Sequence, residues 1–192
     1  RSTIVVSLHA TKVFGLGEGG AVLTHDPARA EYVRTLARFG FAGSRSAQYP
    51  AMNAKISEYT AAVGLAGLDC WETMRARWCN VTELYRKSLP SSIMLPPNFG
   101  ESWVSATLSV VCPKDAHPVA KYLDAHGVQT ASWWGTGCHT QPAYAECSRE
   151  PLPITEKYGR YSIGLPFWQD ITAEKITHVC NLLNEGLKPE NI

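Results

Sequence analysis

The sequence predicts an α/β protein in two parts, residues 1–89 and residues 90–192, the second a compact α+β domain. Three observations predict it. Two short β-branched runs flank a glycine cluster near the N-terminus. A long helical pattern begins at about residue 57. The stretch "LPSSIMLPPNFGES", dense in Pro, Gly and Ser, then separates that helix from a strand–helix–strand–helix order.

Taken in order, "STIVVSL" (residues 2–8) and "GAVLTH" (residues 20–25) are short, apolar and β-branched, so both are expected as buried strands. The segment between them is too short for a crossover helix, which makes them antiparallel neighbours. "DPARAEYVRTLARFG" follows as a helix. Asp26 can cap it, Pro27 suits its first turn, Gly40 stops it, and Tyr32, Val33, Leu36 and Phe39 form one apolar stripe. "FAGSRSAQYPAMNAK" has no periodicity and is expected as a surface loop. From about Ser57 toward Leu89, Tyr59, Val63, Ala66, Cys70, Met74, Trp78, Val81 and Tyr85 recur at mostly three or four residues. Beyond the boundary come a strand in "WVSATLSVV", a helix opening at Asp115 with Pro118 in its first turn, and a strand in "GVQTASWW". A last helix runs from about Thr172 to Glu185, with Ile176, Val179, Leu182 and Leu183 on one face.

Composition narrows the function. The chain has 192 residues, 45% hydrophobic and 18% charged, which places it among globular proteins. A net charge of +1 without a basic run gives no reason to expect nucleic acid or an anionic membrane as partner. No apolar run approaches the roughly 20 residues that span a bilayer. The N-terminus has neither an initiator methionine nor the long apolar run of a signal peptide, and it has the look of a cut chain. The six cysteines are scattered without a CxxC pair, which is expected of reduced thiols in a cytoplasmic protein. Cys138, His139 and Cys147 lack the paired spacing of a zinc site, so no metal is expected.

The chemistry centres on "SLHATKVFGLGEGGAVLTHD", residues 7–26. Gly15, Gly17 and Gly20 match G-x-G-x-x-G, but a strand follows them where a dinucleotide fold needs a helix N-terminus. The glycines better suit a tight reversal between two strands. Within that reversal Lys12 reads either as surface charge or as a reactive amine. Partial desolvation at the end of a buried strand would lower its pKa and make it a nucleophile, able to carry pyridoxal 5′-phosphate as a Schiff base, with the Ser7 hydroxyl near the cofactor's phosphate.

Those residues carry a resemblance. The pattern S-x-H-A-T-K … G-E-G-G-A-V-x-T-x-D resembles the lysine segment of the DegT-type (DegT/DnrJ/StrS) sugar aminotransferases, pyridoxal-phosphate-dependent enzymes of fold type I. The likeness continues in order through "RFGFAGS…MNAKISEYTAAVGLAGLD", "HGVQTASWWGTGCHTQPAYAEC" and "YSIGLPFWQDITAEKITHV". It covers nearly all of this chain and about the C-terminal half of such an enzyme. It implies the C-terminal part of a fold type I transferase: residues 1–89 as the end of the cofactor-binding large domain with its connecting helix, and residues 90–192 as the small domain.

The resemblance also implies roles. Lys12 is the Schiff-base lysine and shuttles the proton; Ser7 binds the cofactor phosphate; Asn53 reaches the cofactor phosphate of a partner subunit, in a homodimer with shared active sites. His9 packs beside the site, and with Trp134 and His139 it is counted among residues lining a sugar-nucleotide pocket. Trp133 and Trp134 are adjacent in an expected strand, so at most one of the two can face that pocket. A lysine at position 12, where the family's sugar dehydratases carry histidine, favours transamination from glutamate to a nucleotide-linked keto-deoxy sugar. "WWGTG" departs from the family's T-R after "QTAS", which leaves the contact to the acidic part of the substrate open. The groups expected in the family's N-terminal half include the aspartate that pairs with the pyridine nitrogen, so this chain alone is expected to be a poor catalyst. A non-catalytic lobe that folds, dimerises or binds remains the alternative.

Overall fold

The computed structural model describes residues 2–133 and 135–191. The chain packs as two units, Arg1–Thr73 and Met74–Ile192.

In the first unit, β1 (Ile4–Ser7) and β2 (Gly20–Leu23) pair antiparallel, Ile4 opposite Leu23 and Ser7 opposite Gly20. The ladder extends past the strands through Leu8 N–H to Gly19 O (3.0 Å) and Ala10 N–H to Gly17 O (2.7 Å). α1 (Pro27–Ala37) starts where the sequence predicts: the Asp26 carboxylate accepts from the Ala28 and Arg29 amides, and Pro27 fills the first turn. Ser57 caps α2 (Glu58–Asp69) in the same manner through the Thr60 amide.

Contrary to what the sequence predicts, the two strands are not buried. Ile4 is 56% exposed, Val5 76% and Leu23 53%. A two-stranded sheet covers neither of its own faces, and only Thr35, Gly40 and Gly64 are buried among the unit's described residues. The expected apolar stripe is likewise partly open: Tyr32 on α1 is exposed, and Phe39 lies beyond the helix end and is exposed too. The long helical pattern is two helices. At Cys70 the backbone leaves the helical region and its N–H tightens onto Gly67 O (3.2 Å), after which α3 (Trp71–Ser88) begins. Side-chain periodicity does not register such a break.

The second unit holds the hydrophobic core. β3 (Leu108–Val111) pairs antiparallel with β4 (Ser162–Leu165), and α4 (His117–Ala125), α5 (Pro153–Tyr161) and α6 (Ala173–Gly186) complete it. Tyr85 of α3, Phe99, Val110, Leu123 of α4, and Ile176 and Leu183 of α6 are each at most 1% exposed. Burying each such side chain contributes about 2 kcal/mol. The Tyr85 hydroxyl donates to Pro166 O, and burial raises its pKa, with Cys180 adding to the rise.

Val81 and Tyr85 of α3 belong to this core, and the packing units meet at Thr73 and Met74, inside α3. The strand expected in "GVQTASWW" is reduced to one bridge, Ala131 with Gly164. Left-handed backbone at Gly135 (φ 56°) and Gly137 (φ 121°) turns the chain away from a second pairing. α5 and β4 were not expected as separate elements.

Candidate active site

Lys12 lies in the connection between β1 and β2. Its N–H donates to His9 O (2.9 Å), closing a turn over residues 9–12, and Leu16 N–H returns to Leu8 O (2.8 Å). Glycine makes that return possible. A Cβ on Gly15 would sit 2.7 Å from Ala10 O, and Gly17 takes φ 94°. The turn and the lysine are therefore one device, since the reversal sets where the amine starts.

Ser7 ends β1, and its Oγ accepts from the His9 N–H at 3.4 Å. The His9 ring is oriented by Thr11, whose N–H (3.2 Å) and hydroxyl (2.9 Å) both reach Nδ1. With Nδ1 accepting, the ring proton sits on Nε2, which faces Glu18 Oε1 at 3.6 Å. His9 is thereby occupied within the loop.

Lys12 itself is exposed, and among the described residues its Nζ makes no hydrogen bond or ion pair. The desolvation expected of a buried strand end is absent, because the strands are exposed. The donor set nonetheless fits the aldehyde and phosphate ends of pyridoxal phosphate: an unengaged primary amine and, one turn away in the chain, a serine hydroxyl whose proton is not committed.

Asn53 sits in the same unit, in the loop between α1 and α2. Phe39 N–H donates to Met52 O (3.1 Å), Met52 N–H to Leu36 O (3.3 Å) and Ala54 N–H to Ala37 O (3.1 Å), which ties the segment to the end of α1. The Asn53 carboxamide oxygen accepts from Lys55 Nζ (2.6 Å), leaving its NH₂ to donate outward.

The remaining candidates belong to the second unit. Trp134 lies outside the described residues. Trp133, half exposed, lines a cavity of about 410 Å³ with Ser109, Ser132, Thr155 and Tyr158. A neighbouring cavity of about 270 Å³ shares Ser132, Gly135, Gly159 and Ser162 and adds His117 and Arg160. His139 does not face this cavity. Its side chain is 11% exposed, and Nε2 meets Glu156 Oε1 of α5 at 3.2 Å. His139 lines a separate open depression with Arg149 and Glu150. Sequence reasoning missed Glu156, which lies 17 residues away on a helix that was not expected. Among the described residues no group of three or more His, Cys, Asp or Glu could hold a metal ion.

The sequence matches the DegT/DnrJ/EryC1/StrS aminotransferase family over residues 1–184. It is 31% identical over 178 residues to the erythromycin biosynthesis sensory transduction protein EryC1 of Saccharopolyspora erythraea, covering 89% of this chain and 48% of that protein. It is 30% identical over 190 residues to the dTDP-3-amino-3,4,6-trideoxy-alpha-D-glucose transaminase of Streptomyces venezuelae, covering 96% of this chain and 50% of that enzyme. The solved structure of DesI in the presence of its TDP-sugar product superposes with a TM-score of 0.85 at 29% identity, over 98% of this chain and 50% of that one. The chain thus spans about half the length of the relatives it matches. Its fold is the C-terminal part of a pyridoxal-phosphate-dependent aminotransferase. The chain belongs to the DegT/DnrJ/EryC1/StrS aminotransferase family.

Proposed function

We propose that this chain carries the lysine half of an aminotransferase that moves an amino group from glutamate to a nucleotide-linked keto-deoxy sugar. The observation that carries the reading is Lys12: an unpaired amine in a glycine-closed turn, within a family match that runs from residue 1 to 184. The names of the relatives support the substrate class. One is a dTDP-amino-sugar transaminase, and another was solved with a TDP-sugar product.

In this reading Lys12 Nζ would hold pyridoxal 5′-phosphate, and its amine would carry a proton to and from the reacting carbon. The bound cofactor supplies an electron sink for charge developing at that carbon. The Ser7 hydroxyl donates to the cofactor phosphate. The Asn53 NH₂ donates to the phosphate held by a partner subunit, so that a homodimer shares its sites. Trp133 offers a ring face, and the hydroxyls around it offer donors, to part of the sugar nucleotide. The enzyme works in the cytoplasm, where its free thiols stay reduced.

A second reading has its own support. Lys12 is exposed and the first unit has almost no buried side chains, as suits a lobe that binds or associates without turning over substrate on its own. Borohydride trapping separates the two. The protein is incubated with pyridoxal phosphate, reduced and digested, and the labelled lysine is located by mass spectrometry. Label confined to Lys12 and lost in Lys12→Ala is the expected outcome. Label spread over the lysines of a folded chain would remove the catalytic reading and leave the second.

A further inference from the structure

α2 carries two glycines one turn apart, Gly64 and Gly67, and Gly64 is its only buried residue. In the interior of an exposed helix each costs about 1 kcal/mol relative to alanine. Their backbone is helical, so conformational freedom does not account for them. Close approach does. A Cβ on Gly64 would stand 2.9 Å from Leu16 Cδ1, and one on Gly67 3.1 Å from Phe14 Cε2. Phe14 also meets Trp71 edge-on, ring centroids 6.0 Å apart. Leu16 and Phe14 stand four and two residues after Lys12, on the returning arm of its turn, so the lysine turn is pinned to the helix at two points.

We propose that Gly64 and Gly67 are positioning residues for Lys12: two recesses in α2 that seat Leu16 and Phe14 and so fix the backbone from which the amine extends. The inference rests on Lys12 being the cofactor lysine. A lysine side chain has four rotatable bonds and adds no precision of its own, so precision must come from its Cα. Displacing a reacting group by about 1 Å costs on the order of a hundredfold in rate. Among the described residues no side chain of the hairpin is fully buried, so no hairpin core holds the turn instead.

The test reads the turn directly. Lys-C cleavage after Lys12 is timed by mass spectrometry in the parent, in Gly64→Leu and in Gly64→Leu/Leu16→Ala, alongside the share of pyridoxyl label on Lys12 relative to Lys55 after borohydride reduction. Gly64→Leu is expected to speed cleavage after Lys12 by about tenfold and to lower the share of label on Lys12, with helix content by circular dichroism unchanged. Leu16→Ala in the same chain makes room for the new leucine and returns both readings toward the parent. Unchanged cleavage in a Gly64→Leu variant that keeps its helix content overturns the proposal. Should Gly64→Leu lose helix content, Leu16→Ala and Phe14→Ala, which add no atoms, take its place: faster cleavage supports the anchoring and unchanged cleavage overturns it. A parent that takes no label on Lys12 refutes the cofactor reading alone, because the cleavage arm needs no cofactor.

Discussion

Cys112 and Cys180 are buried in the second unit's core, whereas Cys70, Cys138 and Cys147 are exposed. Burial pushes the Cys112 thiol from its ordinary 9.0 up to about 11, and the Cys180 thiol up to about 12. Both folded values exceed the unfolded one, so between pH 9 and 12 the unfolded chain binds fewer protons and stability falls as pH rises. The stability these thiols contribute is complete below pH 9. Urea midpoints measured from pH 8 to 11 are expected to decline, and Cys180→Ala to flatten the decline. A slope unchanged in that variant would count against a buried, protonated thiol at 180. Lys12 shows the opposite limit of local reading. Its place in a glycine-closed turn follows from "TKVFGLGEGG", but its exposure does not, because burial of a strand end depends on what lies across the sheet. His139 was visible as a candidate while its partner Glu156 was not, for want of any local signal for α5.

At the scale of elements, end signals explain which helices were legible. α1 announces itself by Asp26 and Pro27, and α6 by Thr172, whose hydroxyl accepts from the Lys175 amide at 3.3 Å. α5 has no side-chain cap, and it sits between a loop and β4 with only Pro153 to mark its start. Because α1 has few buried contacts, its cap bears much of its stability. Asp26→Ala is expected to cost about 1 kcal/mol and to speed exchange of the Ala28 and Arg29 amides. Equal exchange in the two proteins would show that the Arg29 guanidinium bond to Thr3 Oγ1 (2.8 Å) holds the helix start by itself. Gly64 and Gly67 were legible in principle. Two glycines three apart inside a helical pattern are expensive enough to signal close approach, and "AAVGLAGLD" contained that signal.

The whole molecule divides into a second unit that buries its own core and a first unit that does not. The family and the capped helices α1 and α6 were recoverable because both are written in local pattern. The divide inside α3 was not, since helical periodicity runs on through residues that serve different units. The uncovered hairpin also has a colloidal consequence. β1 and β2 each keep an open hydrogen-bonding edge, their outward side chains include Ile4, Val5 and Leu23, and a net charge of +1 supplies little repulsion between molecules. Protein concentration therefore becomes a variable of state: light scattering should rise with it near neutral pH, and Val5→Lys, which adds charge at an exposed strand position, should suppress that rise. Scattering equal in the two proteins would locate the sticky surface elsewhere, the exposed side chains of α2 being next in line.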